Sequence, residues 1–483
     1  MASLVQEVVL GVDVGTSRLK AGVFTLDGRL LALEAVRYGL ASPEARAQEQ
    51  DPDAWWAALA SASRAVLARA GQPVRVAAVG IGGQAPTFVA SDAHLRPTHP
   101  AVTWLDGRPA ATAEDLYARL GQPVPVWGSW PAQAAWFSRE RRRELGRSRW
   151  FFDCASYLTA RLSGVPVMAD YVSDAELDAG ALDGRRLPPR VAPGQLIGGV
   201  QAAAAEATGL PAATPVVNGY IDGVLGVLGS GARRPGQGCM NGGTSGTFSV
   251  VCAPPLGFAM LGLRILGGAA ATTSGSALDW FVRNLAGGSD YAPLLDEVGS
   301  IVAGADGLLF VPTLAGERSP LVEPDARGAW IGLTLEHDRR HLLRALLEGV
   351  AYGFRTLQCS VQAHGADVDD VRSVGGQARS ALWNQIKSDV LGRPVLVPAV
   401  TEASLMGAAI LAARGIGAFA TVEQAVDGMV SIAQRFQPDP VRARLHDDLF
   451  AIFNLLQPAL AQTSSRLASA AAVARQAQAS IRP

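Results

Sequence analysis

Little in this chain ties it to an extracellular, membrane or nucleic-acid setting. Its four cysteines among 483 residues, Cys154, Cys239, Cys252 and Cys359, are scattered with no Cys-x-x-Cys pair. That excludes a disulfide framework and fits reduced, mostly buried thiols in a cytosolic protein. No run of about 18 uncharged apolar residues occurs, and the first apolar stretch, Val8-Val9-Leu10, stops at Gly11 with no basic segment before it. Neither a spanning helix nor a secretory leader is therefore expected. Charge of neither sign prevails: 42 Lys and Arg stand against 43 Asp and Glu, which gives nothing to recruit a polyanion or an anionic bilayer. The basic run from Arg139 to Arg149 is interleaved with Glu140 and Glu144 at helical spacing and reads as a solvated helix face. His337 and His341 have the i, i+4 spacing of zinc ligands but no third ligand, and read as the solvated first turn of an Arg-rich helix. No G-x-x-x-x-G-K-[ST] is present, which argues against a P-loop.

What the chain has is glycine and apolar residues: 53 Gly, with 49% of the sequence hydrophobic. This length exceeds what one core supports, so two domains of roughly 200 residues or more are expected. The organising stretch is Gly11-Val-Asp13-Val-Gly15-Thr16-Ser17, between the apolar run at Val8 and the run Leu19–Thr25. Two strands would flank a tight Gly-Thr-Ser turn whose backbone N–H groups and hydroxyls converge on a concavity suited to a phosphate. Asp13, at the end of the first strand, can hold a hydrated Mg²⁺ that bridges to one. The bland alternative is an ordinary hairpin, but Asn241-Gly242-Gly243-Thr244-Ser245-Gly246 repeats the pattern before another β-branched run, with Asn241 in the Asp position. Two such turns imply a duplicated domain.

Strands are expected over 8–12, 19–25 and 30–38, then a helix opening at Asp51-Pro52-Asp53 and a strand over 74–81 that exits through Gly82-Gly83-Gln84. Pro100–Arg108 is strand-like and delivers Trp104, Asp106 and Arg108 together. Trp104 offers an apolar face to sugar C–H groups and Asp106 can bind hydroxyls, although a buried Trp beside a surface ion pair would read alike. Trp127, Trp130 and Trp136 are a further aromatic cluster, of which one at most is expected at the pocket. A buried strand, Thr214–Ile221, runs into a helix with Asp222 at the junction, where the helix dipole should hold the carboxylate ionised; an N-cap is the plain alternative. A domain boundary is placed near Ser230-Gly231, giving domains 1–231 and 232–440 and a helical tail, 441–483, that frays after Gln462. In the second half, His341–Gln358 is a strong amphipathic helix. Val371–Val374 ends in Gly375-Gly376-Gln377, whose glycines would let backbone approach a flat ring such as adenine. Glu402–Ala409 is a small-residue helix able to pack close to another backbone.

Taken together, Asp13-Val-Gly-Thr-Ser, Trp104-Leu-Asp-Gly-Arg108, Asn218-Gly-Tyr-Ile-Asp222-Gly, Gly243-Thr-Ser-Gly246, Gly316-Glu-Arg-Ser-Pro320, Ala326-Arg-Gly-Ala329 and Gly375-Gly-Gln-Ala-Arg379 resemble the FGGY family of carbohydrate kinases, most of all its xylulokinase branch. The resemblance runs in order from about residue 8 to residue 415. It implies an α/β fold of two ribonuclease-H-like domains, of the actin, Hsp70 and hexokinase type, with an interdomain cleft. It implies ATP and Mg²⁺, and transfer of the γ-phosphoryl group to a sugar hydroxyl, with a ketopentose such as D-xylulose as acceptor; ribulose, erythritol or glycerol are the other acceptors. Asp222 would be the catalytic base and Asp13 the carboxylate linked to Mg²⁺ through water. Gly15, Thr16, Ser17, Gly243 and Thr244 would meet nucleotide phosphates, and Gly375, Gly376 and Gln377 the adenosine. Gln84, Trp104 and Asp106 would stand on the sugar side. One departure bears on the acceptor: the xylulokinase branch reads Gly-Gln-Met-His-Gly where this chain has Gly83-Gln84-Ala85-Pro86-Thr87. The implied partners are a small sugar and ATP, with no nucleic acid and no membrane; the oligomeric state stays open, a homodimer included. A nucleotide-driven clamp on the same fold is the rival from another class, but it needs neither an acceptor base nor a sugar platform. A DNA-binding sugar sensor would need a basic helix-turn-helix extension, and none is evident.

Overall fold

A computed structural model describes residues 5–125, 128–261, 263–288, 291–317, 323 and 325–479. The chain divides into two units: Met1–Gly231 with Glu402–Ser431, and Ala232–Thr401 with Ile432–Pro483.

In the first unit the strand Gln6–Val14 (β1), buried from Val8 to Val12, turns back into Arg18–Thr25 (β2), which continues into Leu30–Arg37 (β3). Helix Pro52–Arg69 (α1) begins at the expected place. The Asp51 carboxylate caps it by accepting from the Asp53 N–H at 2.9 Å, with Pro52 pre-set for the first turn. It leads to Val74–Gly83 (β4), which lies parallel to β1 with Asp13 opposite Gly82 and Val14 opposite Gly83. Cys154–Ser163 (α2), closed by left-handed Gly164, precedes the short strand Leu196–Gly199 (β5) and Pro215–Ile221 (β6). β6 is parallel to β4, with Ile221 opposite Gly83, and runs directly into Asp222–Gly229 (α3). The sheet order is β5-β6-β4-β1-β2-β3.

The second unit repeats the pattern. Gln237–Gly242 (β7) and Gly246–Val251 (β8) form an antiparallel hairpin, Leu263–Ala271 (β9) pairs with β8, and helix Gly275–Leu285 (α4) follows. Helix Arg339–Ala363 (α5) leads to Asp370–Val374 (β10), which lies parallel to β7. After Ala381–Leu391 (α6) comes Val395–Pro398 (β11), parallel to β10. Each sheet thus has three strands joined antiparallel in sequence and two added in parallel. Beyond those, the first sheet carries one antiparallel edge strand, β5, and the second carries two, Ile432–Phe436 (β12) at one edge and the three-residue Phe258–Met260 at the other.

Two expectations about domains need revising. Helix Ala403–Gly415 (α7) belongs with the first unit, because its small residues admit backbone-to-backbone packing. A methyl added at Gly80 would sit 2.3 Å from the Ala408 carbonyl oxygen, one at Gly229 1.9 Å from that of Ala403, and one at Gly407 2.1 Å from that of Leu225. Nor is 441–483 a separate tail. Pro440–Ala479 (α8) places Phe450 and Phe453 in the core of the second unit and sets His446 Nδ1 2.8 Å from the Tyr352 hydroxyl. Beyond Gln462, Ser464 is buried and accepts from the Arg327 N–H.

Among the described residues no helix is long and apolar enough to cross a membrane. Cys154, Cys239 and Cys252 are buried free thiols and Cys359 is an exposed one. His341 completes a capping box with Asp338, and His337 accepts from the Thr334 N–H.

Candidate active site

The parallel strands β1, β4 and β6 end side by side, and the crevice outside such strand ends is where open α/β sheets hold ligands. Two carboxylates stand there. Asp13 Oδ1 is buried with no hydrogen-bond partner. Burial raises its pKa to about 6, the Lys20 charge opposing and that of Glu402 adding. Lys20 lies directly across the hairpin from Asp13, and its ammonium is held 2.5 Å from Glu402 Oε2.

Asp222, the first residue of α3, accepts from the Gly223 N–H at 2.7 Å, and its own carbonyl accepts from Ser404 Oγ at 3.0 Å. The expectation that the helix dipole holds it ionised is overturned for the free protein. Burial first, and then the negative charge of Asp13, push its pKa up to about 8, outweighing the Gly223 N–H. The dipole acts through one or two N–H groups, whereas desolvation acts on the whole carboxylate.

The orphaned oxygen of Asp13 fits a hydrated divalent cation, which takes one or two carboxylates together with water and phosphate oxygens. Its burial also has a cost. With a folded pKa of about 6 against 3.8 for the ordinary carboxyl, the folded chain holds the extra proton between those values. Stability therefore falls as pH rises through this window, and the penalty is complete above it. Asp13→Asn should raise the melting temperature at pH 7 by a few degrees, on the order of 1–3 kcal/mol, with the gain vanishing near pH 4. Thermal scans at the two pH values check both.

Thr16, assigned to phosphate, has both its hydroxyl and its carbonyl engaged. Its hydroxyl donates to Gln84 Oε1 at 3.1 Å and accepts from the Trp104 indole N–H at 3.0 Å, while its carbonyl accepts from Gln50 Nε2 at 2.5 Å. Gly15 donates its N–H to the Arg18 carbonyl, and its carbonyl accepts from the Tyr38 hydroxyl; Ser17 is exposed. Gln84 is buried under the turn and Trp104 is half-buried beside it.

Asp106 is occupied differently from the expectation of a hydroxyl ligand. Its side chain is fully buried and accepts from the Gln48 and Arg108 N–H groups, both at 2.9 Å, and from the Arg108 guanidinium, which also binds Glu44 and Glu49. Its carboxylate holds the Trp104 loop in place. Residues 101–108 are strand only at Ala101–Val102. Trp130 is core, its indole bonded to the Phe152 carbonyl. Trp136 is buried beneath the Arg108 and Arg141 guanidiniums, and Trp127 lies outside the described residues.

In the second unit the turn Gly243-Thr244-Ser245 rests on the start of α4. Gly275 N–H donates to the Gly243 carbonyl at 2.8 Å, and Ser274 and Ser276 N–H groups donate to that of Thr244. Thr244 is left exposed. Gly375 sits at φ +80°, where a methyl would come within 2.7 Å of Asn241 Oδ1, and Gly376 is exposed with open space around it. Gln377 is buried instead, its Nε2 donating to Ser274 Oγ at 2.7 Å beneath Gly242, so it braces the turn. Arg318, Ser319 and Pro320 lie outside the described residues.

Sequence reasoning missed Lys20, Glu402, Gln50 and Ser274. Counting outward from the hairpin turn would have found Lys20 opposite Asp13; nothing local marks the others.

Two family models match the chain: the N-terminal domain of the FGGY family of carbohydrate kinases over residues 8–179 and its C-terminal domain over 238–416. The gluconokinase of Bacillus subtilis is 28% identical, covering 92% of this chain and 94% of that protein. The xylulose kinase of Lactococcus lactis is 26% identical, covering 95% and 98%. The crystal structure of xylulose kinase from Rhodospirillum rubrum aligns with a TM-score of 0.79 at 27% identity, over 95% of this chain and all of that one. The mixed α/β architecture of two sheet-containing units is that of these ribonuclease-H-like sugar kinases.

Proposed function

Because the chain belongs to the FGGY family of carbohydrate kinases, we propose that it transfers the γ-phosphoryl group of ATP to a hydroxyl of a neutral ketose of the D-xylulose class. The observation that carries this reading is Asp222: a carboxyl whose side chain takes one backbone N–H, at the end of a strand separated from that of Asp13 only by β4, which pairs in parallel with both. In this reading Asp222 accepts the proton of the attacking hydroxyl. Phosphoryl transfer asks for positioning more than for strong deprotonation, so a carboxylate suffices once ionised. The Gly15-Thr16-Ser17 turn meets phosphate through its backbone and Ser17, as do Gly243 and Thr244 of the second unit. Gly375 and Gly376 admit the adenosine. Asp13 holds Mg²⁺ through water, and the bound ion neutralises charge on the phosphates. Trp104 presents its ring to the sugar, with Gln84 beneath it.

The preference for a neutral acceptor over an aldonate such as gluconate rests on charge. Arg108 is consumed by Asp106, Glu44 and Glu49, and Lys20 by Glu402, so neither cation beside Trp104 and Asp13 is left to pair with an acceptor carboxylate. Ala85-Pro86, in place of Met-His, removes an imidazole from the sugar side. A screen of pentuloses, hexuloses, polyols and gluconate by coupled ADP release tests the reading. D-xylulose or a related ketose should lead gluconate by at least about tenfold in kcat/KM, since a buried uncompensated carboxylate costs more than about 1.4 kcal/mol. Turnover of gluconate alone, or of glycerol or erythritol alone, would move the acceptor class and keep the kinase. No turnover with any acceptor would remove the kinase itself.

A further inference from the structure

Three residues of the first unit, Thr16, Gln50 and Gln84, from three separate segments, close a hydrogen-bonded ring at the phosphate turn, and Trp104, from a fourth, donates into it. Gln50, on the two-residue strand Glu49–Gln50, donates from Nε2 to the Thr16 carbonyl at 2.5 Å. Its Oε1 accepts from Gln84 Nε2 at 2.6 Å. Gln84 Oε1 accepts from the Thr16 hydroxyl at 3.1 Å, and that hydroxyl accepts from the Trp104 indole at 3.0 Å. Both glutamines are buried, each 2% exposed.

The direction of every bond is forced. A backbone carbonyl can only accept, so Gln50 must turn its NH₂ to Thr16 and its oxygen to Gln84. Gln84 must then offer NH₂ to Gln50 and oxygen to the Thr16 hydroxyl, which must donate. An indole can only donate, and the remaining lone pair of the Thr16 hydroxyl receives it. Flipping either amide would set donor against donor or acceptor against acceptor at two contacts. A network with a single satisfied arrangement is stiff, and a partly broken one is costly.

We infer that Gln50 is a positioning residue that couples the acceptor platform to the phosphate turn: Trp104 orders the Thr16 hydroxyl directly, and Gln84 with Gln50 carries that order round to the Thr16 backbone carbonyl, the Gln50 amide touching neither ligand. The inference rests on the functional reading above, in which Trp104 meets the acceptor and the Gly15-Thr16-Ser17 turn meets phosphate. Seating of an acceptor on Trp104 fixes the indole, and the ring transmits that order to the backbone groups of the turn. Acceptor and nucleotide then bind with positive coupling, each lowering the ordering cost of the other.

The test measures Mg·ADP affinity by calorimetry with and without saturating D-xylulose, or whichever acceptor leads the screen, in the wild type, Gln50→Met and Gln50→Glu. Gln50→Met fills the space and removes the bonds to Thr16 and Gln84, together with a long one, 3.5 Å, from Gln50 Nε2 to the Gly39 carbonyl. Gln50→Glu keeps the acceptor for Gln84 and loses the donor to Thr16. In the wild type the acceptor should tighten Mg·ADP by about fivefold or more. In both variants this coupling should fall below about twofold, and kcat by about tenfold or more, while the affinity for Mg·ADP alone stays within about threefold and the melting temperature within a few degrees. If one variant does not fold, the other decides. Coupling retained in a folded variant overturns the inference and leaves the kinase reading standing, as does a wild type that phosphorylates a sugar without coupling. A wild type that phosphorylates no acceptor overturns the functional reading and this inference with it.

Discussion

Asp222→Asn should lower kcat by at least about 10³-fold while leaving Mg·ADP affinity within about threefold of the wild type. The amide keeps the shape and the bond from Gly223 N–H but cannot take a proton. Steady-state rates with calorimetric ADP binding decide the matter, and equal losses in both would give Asp222 a binding role instead. Two pH effects accompany the substitution. With its pKa pushed up to about 8, Asp222 is mostly protonated in the free protein at pH 7. The wild-type kcat/KM should therefore climb with pH and level off above about 8, a limb the variant lacks. Stability runs the other way. The folded chain binds one more proton than the unfolded chain between the ordinary carboxyl value of 3.8 and about 8, so stability falls as pH rises across that window. Asp222→Asn removes the penalty. It should melt several degrees above the wild type at pH 8.5, and the difference should shrink toward pH 4. A more stable and inactive variant is the signature of a carboxylate held in place at the expense of the fold.

The second large effect is expected at Gly219. A methyl there would lie 1.5 Å from the Ile81 carbonyl oxygen and 2.5 Å from its carbon, an overlap of backbone with backbone that no rotamer relieves. The register between Pro215–Ile221 and Val74–Gly83 already shifts between Val217 and Tyr220, so the glycine is where the two strands press closest. Gly219→Ala should cost more than about 4 kcal/mol, lower the melting temperature by about 10 °C or more, or abolish soluble expression. Gly223→Ala is the control. It is exposed, a methyl there meets nothing within 4 Å, and it should melt within about 2 °C of the wild type. Comparable melting of both variants would mean that the close approach at Gly219 is readily relaxed.

The parts of the molecule legible in the sequence are those written locally. The Gly-Thr-Ser turns, the strands flanking them and the Asp51-Pro52 helix start depend on neighbouring residues, and they stand as read. Gly375, at φ +80°, is legible because few other residues adopt that conformation. What escaped depends on closure in space. Asp106 and Arg108 gave the correct residue pair but not its outcome, because Glu44 and Glu49, which complete the ion-pair cluster, are more than fifty residues upstream. Gln50 carries no local mark, because the two-residue strand on which it stands has no periodicity to detect. The charge state of Asp222 followed from burial, and a strand-to-helix junction in a sequence does not say how deeply it lies. The segment Glu402–Ala409 is legible as small-residue and close-packing, yet the partners of the helix it opens, Gly80, Gly229 and Leu225, lie 170 residues or more away in the chain.

That last helix bears on how the protein is made. The first unit's sheet is fully synthesised by residue 221, but one of its faces is shaped to receive a segment that leaves the ribosome almost two hundred residues later. Nascent chains ordinarily complete their amino-terminal domain first. Here the grooves at Gly11, Gly80 and Gly229 must wait, apolar and uncovered, while the whole intervening unit emerges. A fragment ending at Gly231 would remain in that unfinished state indefinitely, and so offers chaperones and proteases a target that the full-length chain presents only during translation.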